Sequence, residues 1–284
     1  MKITITNRLT RTEENQVRQL IASIRKHDHL TREPFLTNIL NVDQDMPAFF
    51  LAYDLDELRG FLTVYADTLD EPELMIWVSP TYRRQGIAKS LFRSYQEATE
   101  PYHFGKPSFS IERHFLRANP DLANAWHLKE TDNSEFWMTR GRQLIDLPDK
   151  KELQILLADD KHIEAIAMFQ SHVFDESIEV TRTYAKEAIE DPNSLLYVVL
   201  IEDFVVASCT VDLSSGDQVL YGLAVKKDYQ NQGIGRYLTS FIINDRIAKD
   251  HKSFQIAVES DNLIAKNLYE KLGFVSQSEV TYLV

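Results

Sequence analysis

Short apolar runs and one periodic segment define the first part of the chain. Apolar residues fill 48–53 and 60–65, and the polar break DLDEL between them is typical of a hairpin. Upstream, apolar side chains between 17 and 24 recur at the spacing of one helical face, and Thr12 is a suitable N-cap. The pattern predicts an amphipathic helix followed by two strands of a sheet.

The second part of the chain repeats this order. Strands are predicted at 195–201 and 204–211, joined by the polar break EDF. A third strand follows in each half, at 73–78 and at 218–225, and then come a Gly-containing turn, a helix, a strand and a further helix. Strands and helices mixed in this order predict an α+β fold in layers.

The two halves also match residue by residue. A shift of 147 residues places Val78 on Val225 and Tyr82 on Tyr229, and it needs no gap between 48 and 112. It also aligns Gln85-Gly86-Ile87 with Gln232-Gly233-Ile234, Leu91 with Leu238 and Glu112 with Glu259. A repeat of this length indicates duplicated domains, since solenoid repeats are shorter.

The boundary between the copies is expected in the polar segment 139–151, which carries Gly141 and Pro148 as linkers often do. A strand predicted at 153–158 then opens the second copy. We therefore predict an N-terminal domain over residues 1–143 and a C-terminal domain over residues 144–284.

Charge and composition narrow the classes of function. The 284-residue chain has a formal net charge of −12, which disfavours nucleic acid and anionic lipid as partners. The single cysteine, Cys209, lies in an apolar run and is expected to be buried rather than nucleophilic. We expect a cytoplasmic protein without a membrane span, and the eight histidines show no metal-binding spacing.

The segment QVLYGLAVKKDYQNQGIGRYL (218–238) combines a strand, a Gly-containing turn and a helix. The first amides of a helix have no intrahelical acceptor, and the helix dipole adds partial positive charge there. Glycines at 233 and 235 allow an anion to approach the backbone closely, and Arg236 can add a charged contact. The turn is therefore predicted to bind a pyrophosphate through main-chain donors.

A second motif follows in IAVESDNLIAKNLYEKLGF (256–274). Asn262 opens a helix, Ala265 and Tyr269 lie on the same face, and Gly273 is a suitable terminating residue. In this combination and order, the two motifs resemble those of the GNAT superfamily of N-acetyltransferases. The resemblance covers essentially all of 153–284, and more weakly 1–138.

The resemblance implies two tandem GNAT domains, each a mixed, mostly antiparallel sheet flanked by helices, with acetyl-CoA as acyl donor. The main chain of Leu223 and Val225 would pair with the pantetheine arm, and the amides of 231–236 would hold the pyrophosphate. Asn262 would hydrogen-bond the pantetheine, and Tyr269 would protonate the departing thiolate. The implied cofactor-binding residues are Leu223, Ala224, Val225, Gln230, Asn231, Gln232, Gly233, Ile234, Gly235, Arg236, Asn262 and Tyr269, and in the N-terminal copy Val78, Arg83, Arg84, Gln85, Gly86, Ile87, Ala88 and Lys89.

The N-terminal copy departs from the family pattern. Its phosphate turn is intact, with Ala88 in place of Gly235, but its last helix has no tyrosine at the matching place. Either Leu122 or Ala123 takes that place, depending on a one-residue gap. The N-terminal copy is therefore expected to lack the thiolate acid and to serve as a CoA-binding domain or as one wall of the acceptor pocket.

The general base is not marked by a motif, because the strand VLYGLAV carries no carboxylate. Glu259 is one candidate, and a relay through water by Tyr221 is the alternative. The favoured function is transfer of an acetyl group to a primary amine of a small molecule or peptide, in the C-terminal copy. A non-catalytic acyl-CoA-binding regulatory module and a tandem transferase of longer acyl or aminoacyl groups are the alternatives.

Overall fold

The computed structural model describes all 284 residues, and they form two compact units. The N-terminal unit comprises Met1–Glu135 together with Ser278–Val284, and the C-terminal unit comprises Phe136–Gln277. The strands are β1 (Lys2–Thr6), β2 (Phe49–Asp54), β3 (Glu57–Tyr65), β4 (Glu73–Val78), β5 (Ser108–Glu112), β6 (Glu130–Arg140), β7 (Gln154–Leu157), β8 (Ser194–Ile201), β9 (Phe204–Asp212), β10 (Gln218–Val225), β11 (Phe254–Glu259) and β12 (Val275–Leu283). The α-helices are α1 (Arg11–Asp28), α2 (Ile87–Thr99), α3 (Arg113–Ala118), α4 (Leu122–Trp126), α5 (Ile163–Phe174), α6 (Ile178–Glu190), α7 (Ile234–Lys249) and α8 (Leu263–Lys271).

The sheet of the N-terminal unit runs in the order β1-β2-β3-β4-β5-β12-β6. Its first three neighbouring pairs are antiparallel, β4 and β5 are parallel, and β12 returns antiparallel to β5. Helices cover both faces, which explains why β2 is continuously apolar. Phe50 and Ala52 pack toward α2, whereas Leu51 packs toward α1 beside Phe61 and Trp77.

The sheet of the C-terminal unit runs in the order β6-β11-β10-β9-β8-β7. Strands β7, β8, β9 and β10 are antiparallel neighbours, and β10 is parallel to β11. Residues alternate across β8: Leu196 and Val198 join the core under α5 and α6, and Tyr197 and Val199 join the core that includes α7 and α8. The predicted fold class, a mixed and mostly antiparallel sheet flanked by helices in tandem units, is confirmed.

The C-terminal strand completes the N-terminal sheet. Val280 to Leu283 pair with Glu112 to Phe109, and the main chains of Lys129 and Val284 exchange two hydrogen bonds of 2.9 Å. The repeat in the sequence did not indicate that β12 joins the N-terminal sheet, because matching segments specify a strand but not its neighbour. The division expected between residues 143 and 144 stays a prediction about the duplication.

Two local expectations were wrong. Helix α1 is capped by Thr10 rather than Thr12, because Thr10 and Glu13 form a reciprocal capping box. The last helix expected in the N-terminal copy is instead two short helices, α3 and α4, separated at Asn119 and Pro120. Proline at 120 is the physical reason, since it disfavours helical backbone at the preceding residue.

None of the eight α-helices combines the length and the apolar content that crossing a membrane would require.

The pairing of β12 with β5 leads to a stability prediction. Thr281 is fully buried in β12, between two neighbouring strands, so Thr281→Pro removes a ladder hydrogen bond and is expected to lower the free energy of unfolding by about 3 kcal/mol or more. Hydrogen exchange followed by mass spectrometry should show lost protection in 108–112 and retained protection in 194–212. The β-branched control Thr281→Val should keep both. Equal loss in the two segments would contradict the assignment of β12 to the N-terminal unit.

Candidate functional site

Each unit contains one pair of parallel strands that separates after a short paired stretch. Strands β10 and β11 pair only from Gln218–Phe254 to Leu220–Ile256, and β4 and β5 pair only at Glu73–Ser108 and Leu74–Phe109. Beyond these pairs, the edges that face each other have no strand partner. Such an edge offers main-chain donors and acceptors to an extended ligand.

A β-bulge accompanies the separation in the C-terminal unit. The register between β10 and β9 shifts between Tyr221 and Ala224, and Gly222 has a φ of +61°. A bulge bends its strand and increases its twist, which turns β10 away from β11. Strand β4 keeps continuous register with β3, so the N-terminal unit separates its strands without a bulge.

The two glycine turns have the same backbone conformation. Positive φ values occur at Arg84 (61°) and Gly86 (86°) in one turn, and at Asn231 (59°) and Gly233 (78°) in the other. In both, the glycine is the N-cap of the following helix, α2 or α7. Alternation of this kind aims successive amides to one side and forms an anion-binding concavity.

The amides of both turns are free to donate. The first helical bonds run from the amide of Ser90 to Gly86 at 2.9 Å, and from that of Tyr237 to Gly233 at 3.0 Å. The amides of 84–89 and of 231–236 have no acceptor within the protein. These are the main-chain groups that the sequence assigned to pyrophosphate binding.

The residue that opens each turn has a different role from the amides. The side chain of Gln230 donates to the carbonyl of Val225 at 3.0 Å, and Arg83 Nε donates to that of Val78 at 3.2 Å. Gln232 and Gln85 likewise bind the carbonyls of Asp228 and Thr81. These glutamines and Arg83 therefore fix the turn to the end of the strand.

Arg83 is also tied to helix α1. Its guanidinium makes two hydrogen bonds to the carboxylate of Asp28 and lies 5.4 Å from the ring centre of Phe115. The pKa of Asp28 is held below its ordinary value, because the bonds to Arg83 and His27 outweigh the opposing effect of burial. The Arg83 side chain is therefore engaged within the protein, and Arg84 and Lys89 are the other cations of the N-terminal turn.

Lys150 was missed by the sequence reasoning. Its Nζ lies 3.5 Å from the carbonyl of Gln232 and 5.8 Å from the ring centre of Tyr237, so it adds a cation beside the C-terminal turn together with Arg236. It lies 82 residues before Gln232, in a segment that the sequence marked only as a linker. No local pattern could have found it.

Asn262 is the N-cap of α8. Its side-chain oxygen accepts from the amide of Ala265 at 3.1 Å, and the residue is exposed. The side-chain NH₂ has no acceptor in the protein and is free to donate. The helix ends at Gly273, which has a φ of +85°.

Tyr269 lies on the buried face of α8, 6% exposed, with its ring 6.1 Å from that of Phe274. It belongs to the packed cluster that contains Leu220, Ile256 and Val258 of the two separating strands. Burial raises the pKa of the Tyr269 hydroxyl above its ordinary value, with a smaller contribution from Cys209. The hydroxyl has no hydrogen-bond partner within the protein, so it remains a protonated and available donor.

Glu259 and its counterpart Glu112 differ sharply. Glu259 ends β11, is exposed, and its carboxylate has no partner within the protein. Glu112 is 5% exposed and accepts from the amides of Thr31 and Arg32 and from the hydroxyl of Ser278. Through these hydrogen bonds, the Glu112 carboxylate stabilises the fold of the N-terminal unit.

Several polar residues lie near Tyr221, on the face of β10 opposite Leu220. Tyr221 is 38% exposed, and burial raises its pKa to about 12 despite a hydrogen bond with Ser194. The nearby carboxylates of Asp212 and Asp191 act on it electrostatically, and burial raises the pKa of Asp212. Neither aspartate carries a motif, so the sequence gave no indication of this group.

The helix ends settle which residue of the N-terminal copy corresponds to Tyr269. The amide of Phe274 donates to the carbonyl of Tyr269 at 3.0 Å, and the amide of Leu128 donates to that of Ala123 at 2.9 Å. Ala123 therefore occupies the corresponding position, and its side chain carries no hydroxyl.

The separation of β4 and β5 opens a cavity of about 550 Å³ in the N-terminal unit. The lining consists of all residues of the glycine turn from Arg83 to Lys89 except Gln85, the strand residues from Leu74 to Val78, and the segment from Phe109 to Glu112. Its volume lies within the range of small-molecule sites.

Comparisons with known proteins agree with this arrangement. A model described as acetyltransferase (GNAT) domain matches residues 150–282, and one described as acetyltransferase (GNAT) family matches residues 14–106. The chain therefore belongs to the GNAT family of acetyltransferases and is an enzyme of that class.

Solved structures extend the likeness of fold over the whole chain. A GCN5-related N-acetyltransferase from Sphaerobacter thermophilus is 13% identical with a TM-score of 0.70, over 99% of this chain and 94% of that one. A tandem GNAT protein from the clavulanic acid biosynthesis pathway is 12% identical with a TM-score of 0.68, over 99% and 98%.

Among curated proteins, the chain is similar to the ribosomal protein bS18-alanine N-acetyltransferase of Escherichia coli K12, at 36% identity over 58 residues. The match takes in 20% of this chain and 39% of the length of that relative.

The unpartnered hydroxyl of Tyr269 leads to a prediction about stability. The hydroxyl makes no hydrogen bond within the protein and is not one of the fully buried polar atoms, so Tyr269→Phe is expected to change the free energy of unfolding in urea by less than about 0.5 kcal/mol. The matched control is Tyr197→Phe, since the buried Tyr197 hydroxyl binds Asp245 at 2.6 Å and its loss should cost about 1–2 kcal/mol. A loss as large in Tyr269→Phe would reveal a structural role for its hydroxyl.

Proposed function

We propose that the protein transfers an acetyl group from acetyl-CoA to a primary amine, and that the C-terminal unit carries the reaction. The observation that carries the proposal is Tyr269: its side chain packs against the two strands that separate, and its protonated hydroxyl has no partner within the protein. A hydroxyl in this state is suited to donate a proton to a leaving group.

The donor is held by groups that are otherwise unsatisfied. The six amides from Asn231 to Arg236 receive the pyrophosphate, with Lys150 and Arg236 adding positive charge. The free edge of β10 at Leu223, Ala224 and Val225 pairs with the amides of the pantetheine arm. The side-chain NH₂ of Asn262 donates to that arm.

The chemistry is a direct displacement. The amine nitrogen attacks the thioester carbonyl carbon, the C–N bond forms, the C–S bond breaks, and the thiolate takes a proton from the Tyr269 hydroxyl. The attacking amine must first lose its own proton, because a free primary amine has a pKa of about 10.4 if it resembles lysine. A residue near the site therefore has to accept that proton.

Glu259 is the proposed base. It lies at the end of β11, where the strands have separated, and its exposed carboxylate has no partner that would compete for the proton. Tyr221, with a pKa of about 12, stays protonated at neutral pH and serves as a relay. The carboxylates of Asp191 and Asp212 near Tyr221 supply negative charge that favours a cationic acceptor.

The acceptor is a primary amine of a small molecule or a peptide. The Escherichia coli relative is named for the N-acetylation of an alanine of a ribosomal protein, which makes a peptide N-terminal α-amine the first acceptor to test. The net charge of −12 is compatible with a basic peptide.

The first activity prediction concerns Tyr269→Phe. Loss of the acid is expected to lower kcat for amine-dependent thiol release roughly 100-fold or more, with little change in the binding of acetyl-CoA. Tyr197→Phe serves as the control and should retain kcat while losing stability. The catalytic assignment fails if Tyr269→Phe keeps wild-type turnover.

The second prediction concerns the phosphate turn. A Cβ at Gly233 meets no atom within 4 Å, so Gly233→Glu has room there and places a carboxylate at the proposed pyrophosphate site, although the φ of +78° strains any side chain. It should raise the KM for acetyl-CoA at least roughly tenfold through like-charge repulsion. Gly233→Gln has the same size and carries the same strain without the charge, and should be much less affected. Equal effects of the two variants would indicate strain rather than phosphate repulsion.

The third prediction concerns the base. Glu259→Gln is expected to lower kcat/KM roughly 100-fold near neutral pH and to leave a rate that rises with pH as the amine itself deprotonates. In the wild type, the raised pKa of Tyr269 keeps the acid protonated, so kcat should not fall up to at least about pH 10, the ordinary tyrosine value. An unchanged pH profile in Glu259→Gln would transfer the role to another group.

A further inference from the structure

The cavity of the N-terminal unit has a phosphate-binding turn at one end and a closed, apolar base at the other. The turn follows Val78 at the end of β4, and the base is the last strand pair, Leu74 with Phe109. The four residue steps from Val78 back to Leu74 span roughly 13 Å of extended strand. A ligand anchored at the turn by its phosphates can therefore reach the base as an extended chain.

The base is walled by apolar groups. The ring of Phe109 lies 5.8 Å from that of Trp126 and 5.4 Å from that of Phe92. Leu122, one helical turn before Trp126, lines the same cavity, as do Leu128 and Leu283. This wall offers no donor or acceptor side chain other than the indole N–H, so it favours an apolar group.

Two polar residues that line the cavity, Arg32 and Glu112, are engaged in contacts within the protein. The guanidinium of Arg32 binds Glu73 at 2.8 Å, and the amides of Thr31 and Arg32 donate to Glu112 at 2.7 and 2.9 Å. The carboxylate that an acceptor amine would need is thus already occupied.

The N-terminal unit also lacks a proton-donating side chain at the position that corresponds to Tyr269. Ala123 stands where the C-terminal unit has Tyr269, as the matched hydrogen bonds of the two helix ends show. A CoA thioester bound in this cavity would find neither the proton donor nor a free base.

We propose that the cavity of the N-terminal unit binds a CoA thioester with an unbranched apolar acyl chain longer than acetyl, and holds it without transferring it. The inference rests on the proposed function, from which it takes CoA as the ligand class. It adds that the two units differ in acyl group: acetyl is consumed in one, and a longer chain is retained in the other.

The test is calorimetric titration of the full-length Gly233→Glu variant, in which the C-terminal turn is blocked, with CoA, acetyl-CoA, hexanoyl-CoA and succinyl-CoA. Each buried methylene contributes roughly fourfold in affinity, so even partial burial of four should favour hexanoyl-CoA over acetyl-CoA at least about tenfold. One site per chain is expected, and adding Gly86→Glu should abolish it. Equal affinity for acetyl-CoA and hexanoyl-CoA, tighter binding of succinyl-CoA, or no binding would each overturn the proposal.

Substitutions at Leu122 test whether the acyl chain lies against the apolar wall. Leu122→Asn should remove most of the preference for hexanoyl-CoA while leaving the affinity for CoA itself within about twofold, and the volume-conserving Leu122→Met should keep the preference. Thermal unfolding of both variants checks that the unit is folded. A preference that survives Leu122→Asn in a folded protein would place the acyl chain elsewhere.

Turnover separates this proposal from the proposed function. The Gly233→Glu variant saturated with hexanoyl-CoA should release no thiol when amines are added, and amine-dependent release would overturn retention. The reaction of the wild type with acetyl-CoA, and its loss in Tyr269→Phe, is measured independently. If the results for one proposal contradict it, the results for the other can still be interpreted.

Discussion

The separation of two parallel strands is the constraint on which each unit depends. Parallel pairing ends after Leu220 and Ile256 in one unit and after Leu74 and Phe109 in the other, which leaves unsatisfied main-chain edges. Backbone groups without partners are costly unless water or a ligand supplies them. The gap therefore leaves main-chain groups that an extended polar ligand could satisfy, and a glycine turn with free amides lies at the end of β4 and of β10.

The two units share this backbone arrangement but differ in the side chains beside the gap. The two turns share their backbone angles, their free amides and the hydrogen bonds that fasten them to the preceding strand. The groups beside the gap differ, because Tyr269 and Glu259 are unpartnered whereas Ala123 has no proton to give and Glu112 is fully engaged. The backbone geometry is thus the same in both units, and the unpartnered hydroxyl and carboxylate occur only in the C-terminal unit.

The expected division of labour follows from the cost of polar groups in buried surroundings. In the C-terminal unit, the Tyr269 hydroxyl and the Glu259 carboxylate have no partner within the protein, so only water or a ligand can supply one. In the N-terminal unit, the corresponding polar groups are all paired: Glu112 with Thr31 and Ser278, and Arg83 with Asp28. That pairing stabilises the N-terminal unit.

The sequence by itself determined what is local. Apolar periodicity placed the strands, the glycine and asparagine signals placed the turns and the helix ends, and the repeat indicated two related domains, since these features depend on neighbouring residues. Only the tertiary structure decided which strand completes which sheet, that Lys150 lies beside Gln232, that Asp28 engages Arg83, and that Ala123 corresponds to Tyr269. These facts join residues far apart in the chain or depend on the exact end of a helix, and neither spacing nor composition specifies such contacts.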